Sequence, residues 1–92
     1  MGNIEFEKRA CELVSDYVWA HLDETDKQTQ VIAFEIFVVW MSKVLQNNKA
    51  MISTTLKDGM YYEVTYNGDK NEFYLDAYKK FDNKRIAAKP EK

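Results

Sequence analysis

Residues 59–78, GMYYEVTYNGDKNEFYLDAY, contain two alternating runs that meet at Asn67-Gly68, and five of the chain's six tyrosines lie among them. Asparagine and glycine both tolerate φ > 0, which a type I′ turn demands at its two central positions. This dipeptide between alternating runs therefore predicts an antiparallel hairpin. The hairpin constrains the fold far more than it constrains the function.

At 92 residues the chain is one small domain, able to bury roughly 60–65% of the surface its unfolded form exposes. A composition of 46% apolar and 14% aromatic residues, with one proline and three glycines, is that of a folded chain. The single cysteine, Cys11, excludes an internal disulfide and a multi-cysteine metal site, and suits a reducing compartment. The N-terminus MGNIEFEKRACEL has acids where a secretion signal needs a basic and then an apolar region. The longest apolar run, Val31 to Met41, contains Glu35 and is about half of what a bilayer span needs. A cytoplasmic, unanchored protein is expected.

Net charge is −2, but unevenly placed. Residues 1–26 carry seven acids against Lys8 and Arg9, residues 27–78 six acids and five bases, and residues 79–92 six bases against Asp82 and Glu91. A basic tail of this kind reads first as a solvated terminus. A nucleic-acid-binding domain shows a more strongly basic face, so nucleic acid is not the expected partner.

Residues 4–22 read as an amphipathic helix with Phe6, Ala10, Leu13, Val14, Tyr17 and Ala20 on one side. Asn3 is the expected cap, and Glu5 and Glu7 complement the positive end of the helix dipole. His21 falls near the C-terminal end as a packed or capping side chain. Cys11 and His21 are separated by roughly 80° and about 15 Å along the helix, which excludes a thiol–imidazole dyad within it. Trp19 points away from the stripe, where a loop or a partner would cover it.

After the polar segment DETDKQTQ, the run VIAFEIFVVWMSKVLQ is rich in β-branched and aromatic residues and reads as a strand, although a helical spacing also fits it. Four strands are expected, at about 35–45, 49–56, 60–66 and 71–81. The class is α+β: one helix on a four-stranded antiparallel meander. Two-residue turns at Asn47-Asn48 and Asn67-Gly68, with a three-residue loop Lys57-Asp58-Gly59, set the register. Leu45 then faces Ala50, Met41 faces Thr54, Ile52 faces Val64, and Tyr62 faces Phe73. One face collects Phe37, Val39, Met41, Leu45, Ala50, Ile52, Leu56, Met60, Tyr62, Val64, Phe73, Leu75 and Ala77 as the core.

The opposite face collects Val38, Trp40, Ser42, Val44, Met51, Ser53, Thr55, Tyr61, Glu63, Thr65, Glu72, Tyr74, Asp76 and Tyr78. A solvated sheet face is normally Lys, Glu and Thr; this one mixes aromatics with carboxylates. Tyrosine and threonine are good strand formers, and pairs such as Tyr61 with Tyr74 stabilise a sheet by roughly 0.2–1 kcal/mol, which is the bland reading. Contiguous exposed aromatics more specifically mark a contact. The candidate partner-binding residues are Trp40, Tyr61, Glu63, Tyr74, Asp76 and Tyr78.

Glu63, Glu72 and Asp76 share that face, but a flat, wet sheet offers no burial to split their acidities into an acid and a base. The run Asn67-Gly-Asp69-Lys-Asn71-Glu72 begins like a calcium loop, yet the required glycine falls at Glu72 and the closing glutamate at Tyr78. No phosphate-binding loop, nucleophile elbow or zinc spacing occurs. No catalytic residue, cofactor or metal is expected.

The segments VVW, KVLQNNKA, GMYYEVTYNGDKNE and YLDAYKK, within Phe37 to Phe81, resemble a family of small proteins encoded in phages and prophages of Gram-positive bacteria. Some members of that family carry a cysteine where this chain has Ser42, which removes any thiol chemistry at that position. The family has no assigned activity, so the resemblance implies a setting and no catalytic residue. The implied function is non-catalytic binding of a host protein, with inhibition of a defence or DNA-processing factor as one outcome. Self-association into a homodimer, a DNA mimic using the face carboxylates, and a small nucleotide stacked on the tyrosines are the alternatives.

Overall fold

The computed structural model describes residues 1–25 and 34–89. The polar residues 26–30, the start of the apolar run at 31–33 and the last three residues lie outside that description. Helix α1 spans Asn3–Thr25, and strands β1 (Ile36–Val44), β2 (Asn47–Thr54), β3 (Met60–Asn67) and β4 (Glu72–Lys79) form one antiparallel sheet in the order β1-β2-β3-β4. This is the expected α+β meander with one covering helix. Among the described residues, no helix is long and apolar enough to cross a membrane.

The helix runs three residues beyond the expected end because Asp23, Glu24 and Thr25 contain no glycine or proline to stop it. At its start the Gly2 carbonyl accepts the first helical bond, from Phe6 N–H at 2.9 Å. Asn3 therefore does not act as the cap; its side-chain oxygen turns to the Asn48 amide at 3.5 Å. Phe6, Ala10, Val14 and Val18 are the buried row, a four-residue spacing that lays one ridge of the helix on the sheet. Ala20, expected on the stripe, is exposed, and Val18 takes its place as the last member.

Every expected strand register is slipped. Met41 faces Ala50, not Thr54; Ile52 faces Tyr62, not Val64; Tyr62 faces Ala77, not Phe73. Each slip is an even number of residues, so the two faces survive, since side chains alternate with a period of two. The exception is a β-bulge between Val38 and Trp40. The extra residue, Val39, reverses the parity of the strand before it. Ile36 and Val38 therefore pack toward the core, whereas Phe37 and Val39, expected there, are 47% and 46% exposed.

The turns explain the slips. Asn47-Asn48 is not the first turn; Leu45-Gln46 is, with Leu45 at φ 56 and 89% exposed rather than in the core. The two asparagines have other work. Asn48 is fully buried beneath the helix start, where its Oδ1 has no partner among the described residues, and Asn47 Oδ1 accepts from Gly68 N–H at 3.1 Å. The second connection is five residues, 55–59, so Leu56 leaves the strand but still packs on the core. Gly59 takes the left-handed conformation at φ 69, and its carbonyl accepts from Lys80 N–H at 2.6 Å. The third loop is not a two-residue Asn67-Gly68 turn. It covers 68–71, and the Asn67 side-chain oxygen accepts the backbone N–H groups of Asp69 and Lys70 at 3.1 and 3.3 Å. Asn71, at φ 55, supplies the left-handed residue.

The core lies between the helix ridge and the inward row of Ala50, Ile52, Tyr62, Val64 and Tyr66. Phe6 is wholly buried and stacks on Phe73 at 6.4 Å, while Tyr66 meets Phe73 at 4.9 Å. Burying one such ring stabilises the fold by about 1.5–3 kcal/mol. Ala77, expected in the core, is exposed on β4. Lys43 points to the helix side and donates to the Met1 carbonyl at 3.2 Å. The assembly is a slab, 52 × 42 × 18 Å, with its one described helix on one face of the sheet.

Candidate protein-binding face

The sheet face turned away from α1 is built of cross-strand rows. One runs Trp40, Met51, Glu63, Asp76 across all four strands. The next, toward the β2–β3 loop, runs Phe37, Ser53, Tyr61, Tyr78, and on the other side lies Ser42, Lys49, Thr65, Tyr74. Side chains directly opposite in such rows have β-carbons about 4.5–5.5 Å apart. All six residues expected to bind a partner, Trp40, Tyr61, Glu63, Tyr74, Asp76 and Tyr78, therefore share this face. The expected Tyr61–Tyr74 pair does not form: Tyr61 is opposite Tyr78, and Tyr74 is opposite Thr65.

Trp40, Tyr74 and Tyr78 are 42%, 46% and 49% exposed, so about half of each ring is free for a contact. The bulge adds Phe37 and Val39 to them. No sequence signal marks that bulge, since Val38-Val39 alternates as well in either parity. Val38, expected on this face, has left it, and Ser53, although on it, is buried and donates to the Met60 carbonyl at 2.9 Å. Thr55 lies beyond the end of β2, where its hydroxyl accepts from Glu35 N–H at 2.9 Å.

Charge is concentrated in the middle of the face. Glu63 and Asp76 stand opposite each other, an arrangement of like charges that costs stability. Lys49 Nζ lies 3.7 Å from Glu63 Oε1 and offsets part of that cost. The Tyr74 hydroxyl donates to the Glu72 carboxylate, and this bond holds its phenol above the usual range. The result is a flat plate of half-exposed rings with three carboxylates, suited to cationic side chains and apolar anchors.

The helix side carries different features. Trp19 is 42% exposed and packs against Phe34, just before β1, at 5.0 Å. His21 donates from Nδ1 to the Tyr17 carbonyl at 2.9 Å and stacks on the Tyr17 ring at 3.9 Å, the packed role expected of it. A groove of about 300 Å³ opens between the end of α1 and the β3–β4 edge, walled by Tyr17, Tyr62, Met60 and Lys79. Burial, then the nearby Asp58 and Tyr17, push the Tyr62 phenol up. Nothing in the sequence marked this groove, because its walls are far apart along the chain. Cys11 is half-buried, and burial, with Glu7 second, raises its thiol above the ordinary range. A thiol so placed stays protonated and unreactive at neutral pH.

No curated protein and no solved structure matches the chain. A family model described as a family of unknown function, DUF6275, matches residues 7–88. That match takes in the helix from residue 7 onward as well as the whole sheet, more than the Phe37–Phe81 stretch that carries the resemblance read from the sequence. The protein belongs to the DUF6275 family of unknown function.

Proposed function

We propose that this is a phage- or prophage-encoded accessory protein of a Gram-positive bacterium that acts without catalysis, by binding a host protein in the cytoplasm. The binding surface is the face of Trp40, Tyr61, Glu63, Tyr74, Asp76 and Tyr78, and the consequence is inhibition of a defence or DNA-processing factor. The row Trp40-Met51-Glu63-Asp76 carries this reading. Two carboxylates opposed across neighbouring strands lower stability, and half-exposed rings beside them gain nothing from water; together they suit a basic, apolar partner surface. The phage setting rests on the sequence resemblance alone, and the identity of the pathway on analogy.

Tagged wild-type protein and the Tyr61→Ala/Tyr74→Ala variant are used to capture partners from a Gram-positive host lysate, followed by mass spectrometry. The partner recovered is then purified and titrated with both proteins. The expected result is an unchanged circular dichroism spectrum and at least a tenfold loss of affinity in the variant. Equal affinity for the two proteins removes this face from the function.

A further inference from the structure

The chain does not end at the sheet. After β4, residues 80–87 continue without secondary structure, and Phe81 and Ile86 are 100% and 84% exposed. Lys80, Lys84, Arg85 and Lys89 lie along the same segment, against one acid, Asp82. An arm of this kind holds large apolar side chains in water, at about 1.5–3 kcal/mol each relative to burial.

We infer that the arm of one copy lies across the aromatic face of a second copy, making a reciprocal twofold dimer that shields the partner-binding surface until a partner displaces it. The role as a shield rests on the function proposed above; the dimer does not. Three observations support it. The arm's lysines complement Glu63, Glu72 and Asp76, which the partner-free face leaves with Lys49 as the one basic side chain in its rows. Its apolar anchors complement half-exposed rings. Its length also suffices: the nine described residues beyond Lys80, if extended, span about 30 Å, whereas four strands cover about 14 Å. Half of four aromatic rings and all of Phe81, counted in both copies, bury roughly 1,000 Å², the lower bound for a specific interface.

The test begins with pure protein and no host factor. Sedimentation velocity at 5–200 µM (chosen to bracket a weak dimer) compares the full chain with a chain ending at Lys80, which keeps the Lys80–Gly59 bond, and with the full-length Phe81→Ser/Ile86→Ser variant. The expected result is about twice 10.9 kDa for the full chain and a single copy for both variants. Dimer dissociation should strengthen at least tenfold between low and high salt, because lysine–carboxylate contacts are screened. Carbodiimide coupling of mixed isotopically light and heavy copies should join Lys84 or Lys89 of one copy to Glu63, Glu72 or Asp76 of another. A full chain that stays single at 200 µM, a dimer that survives removal of the arm, or couplings confined to other surfaces each overturns the proposal. In the capture titration, the chain ending at Lys80 should bind the host partner more tightly than the full chain. If the dimer forms but the partner's affinity is indifferent to Tyr61→Ala/Tyr74→Ala, the host-binding function fails and the dimer stands.

Discussion

Gly68 lies against Gln46: a β-carbon on the glycine would sit well inside contact distance of the Gln46 carbonyl oxygen and side chain. The β1–β2 turn and the β3–β4 loop thus meet at one end of the sheet, tied by the Asn47–Gly68 hydrogen bond. Glycine is required here for close approach and not for its φ. Gly68→Ala should lower stability by about 1–3 kcal/mol in denaturant unfolding, while Lys70→Ala in the same loop should stay within about 0.5 kcal/mol of wild type.

Leu45 is a branched side chain in left-handed backbone with almost no contacts to lose. Left-handed backbone costs a residue with a β-carbon roughly 1–2 kcal/mol, and asparagine relieves part of this through local hydrogen bonding. Leu45→Asn should therefore raise the unfolding midpoint, by about 0.5–1 kcal/mol in free energy. A lower midpoint would show that Leu45 makes contacts in solution that hold it in place.

The Glu63–Asp76 opposition separates stability from function. Asp76→Lys converts a repulsive cross-strand pair into an attractive one and should stabilise the protein by about 0.2–1 kcal/mol at low salt, shrinking at high salt as screening sets in. The same substitution should weaken partner capture at least tenfold. A variant both more stable and equally able to bind would detach the carboxylates from function.

Tyr62 titrates above its usual range because its phenol is buried near Asp58. The unfolded chain therefore gives up this proton first as pH rises through about 10. In that window the native state holds more protons than the unfolded state, so stability falls with increasing pH. Wild type and Tyr62→Phe should differ by a constant amount below about pH 9, and the wild type should lose stability faster above it. Parallel thermal melts over pH 8–11 read the difference.

Much of the fold was legible in the residues. The Asn67-Gly68 signal marks a real hairpin, and alternation along β2, β3 and β4 assigns nearly every side chain to its correct face. The placement of Tyr61, Glu63, Tyr74, Asp76 and Tyr78 follows from parity, which survives any even slip. Turn identity did not follow, because asparagine is favoured in turns for the same hydrogen-bonding capacity that here serves buried and bridging roles. Asn48 lies under the helix and Asn47 reaches Gly68; neither role has a local signature.

The sequence by itself determined one amphipathic helix, four strands in consecutive order, and a sheet face mixing aromatics with carboxylates, because these depend on periodicities of 3.6 and 2 written into neighbouring residues. Tertiary structure alone decided the registers, the bulge at Val39 that brings Phe37 outward, and the meeting of Gly68 with Gln46. Those depend on contacts between segments distant along the chain, where packing against α1 and the fit of one turn against another outweigh local preference.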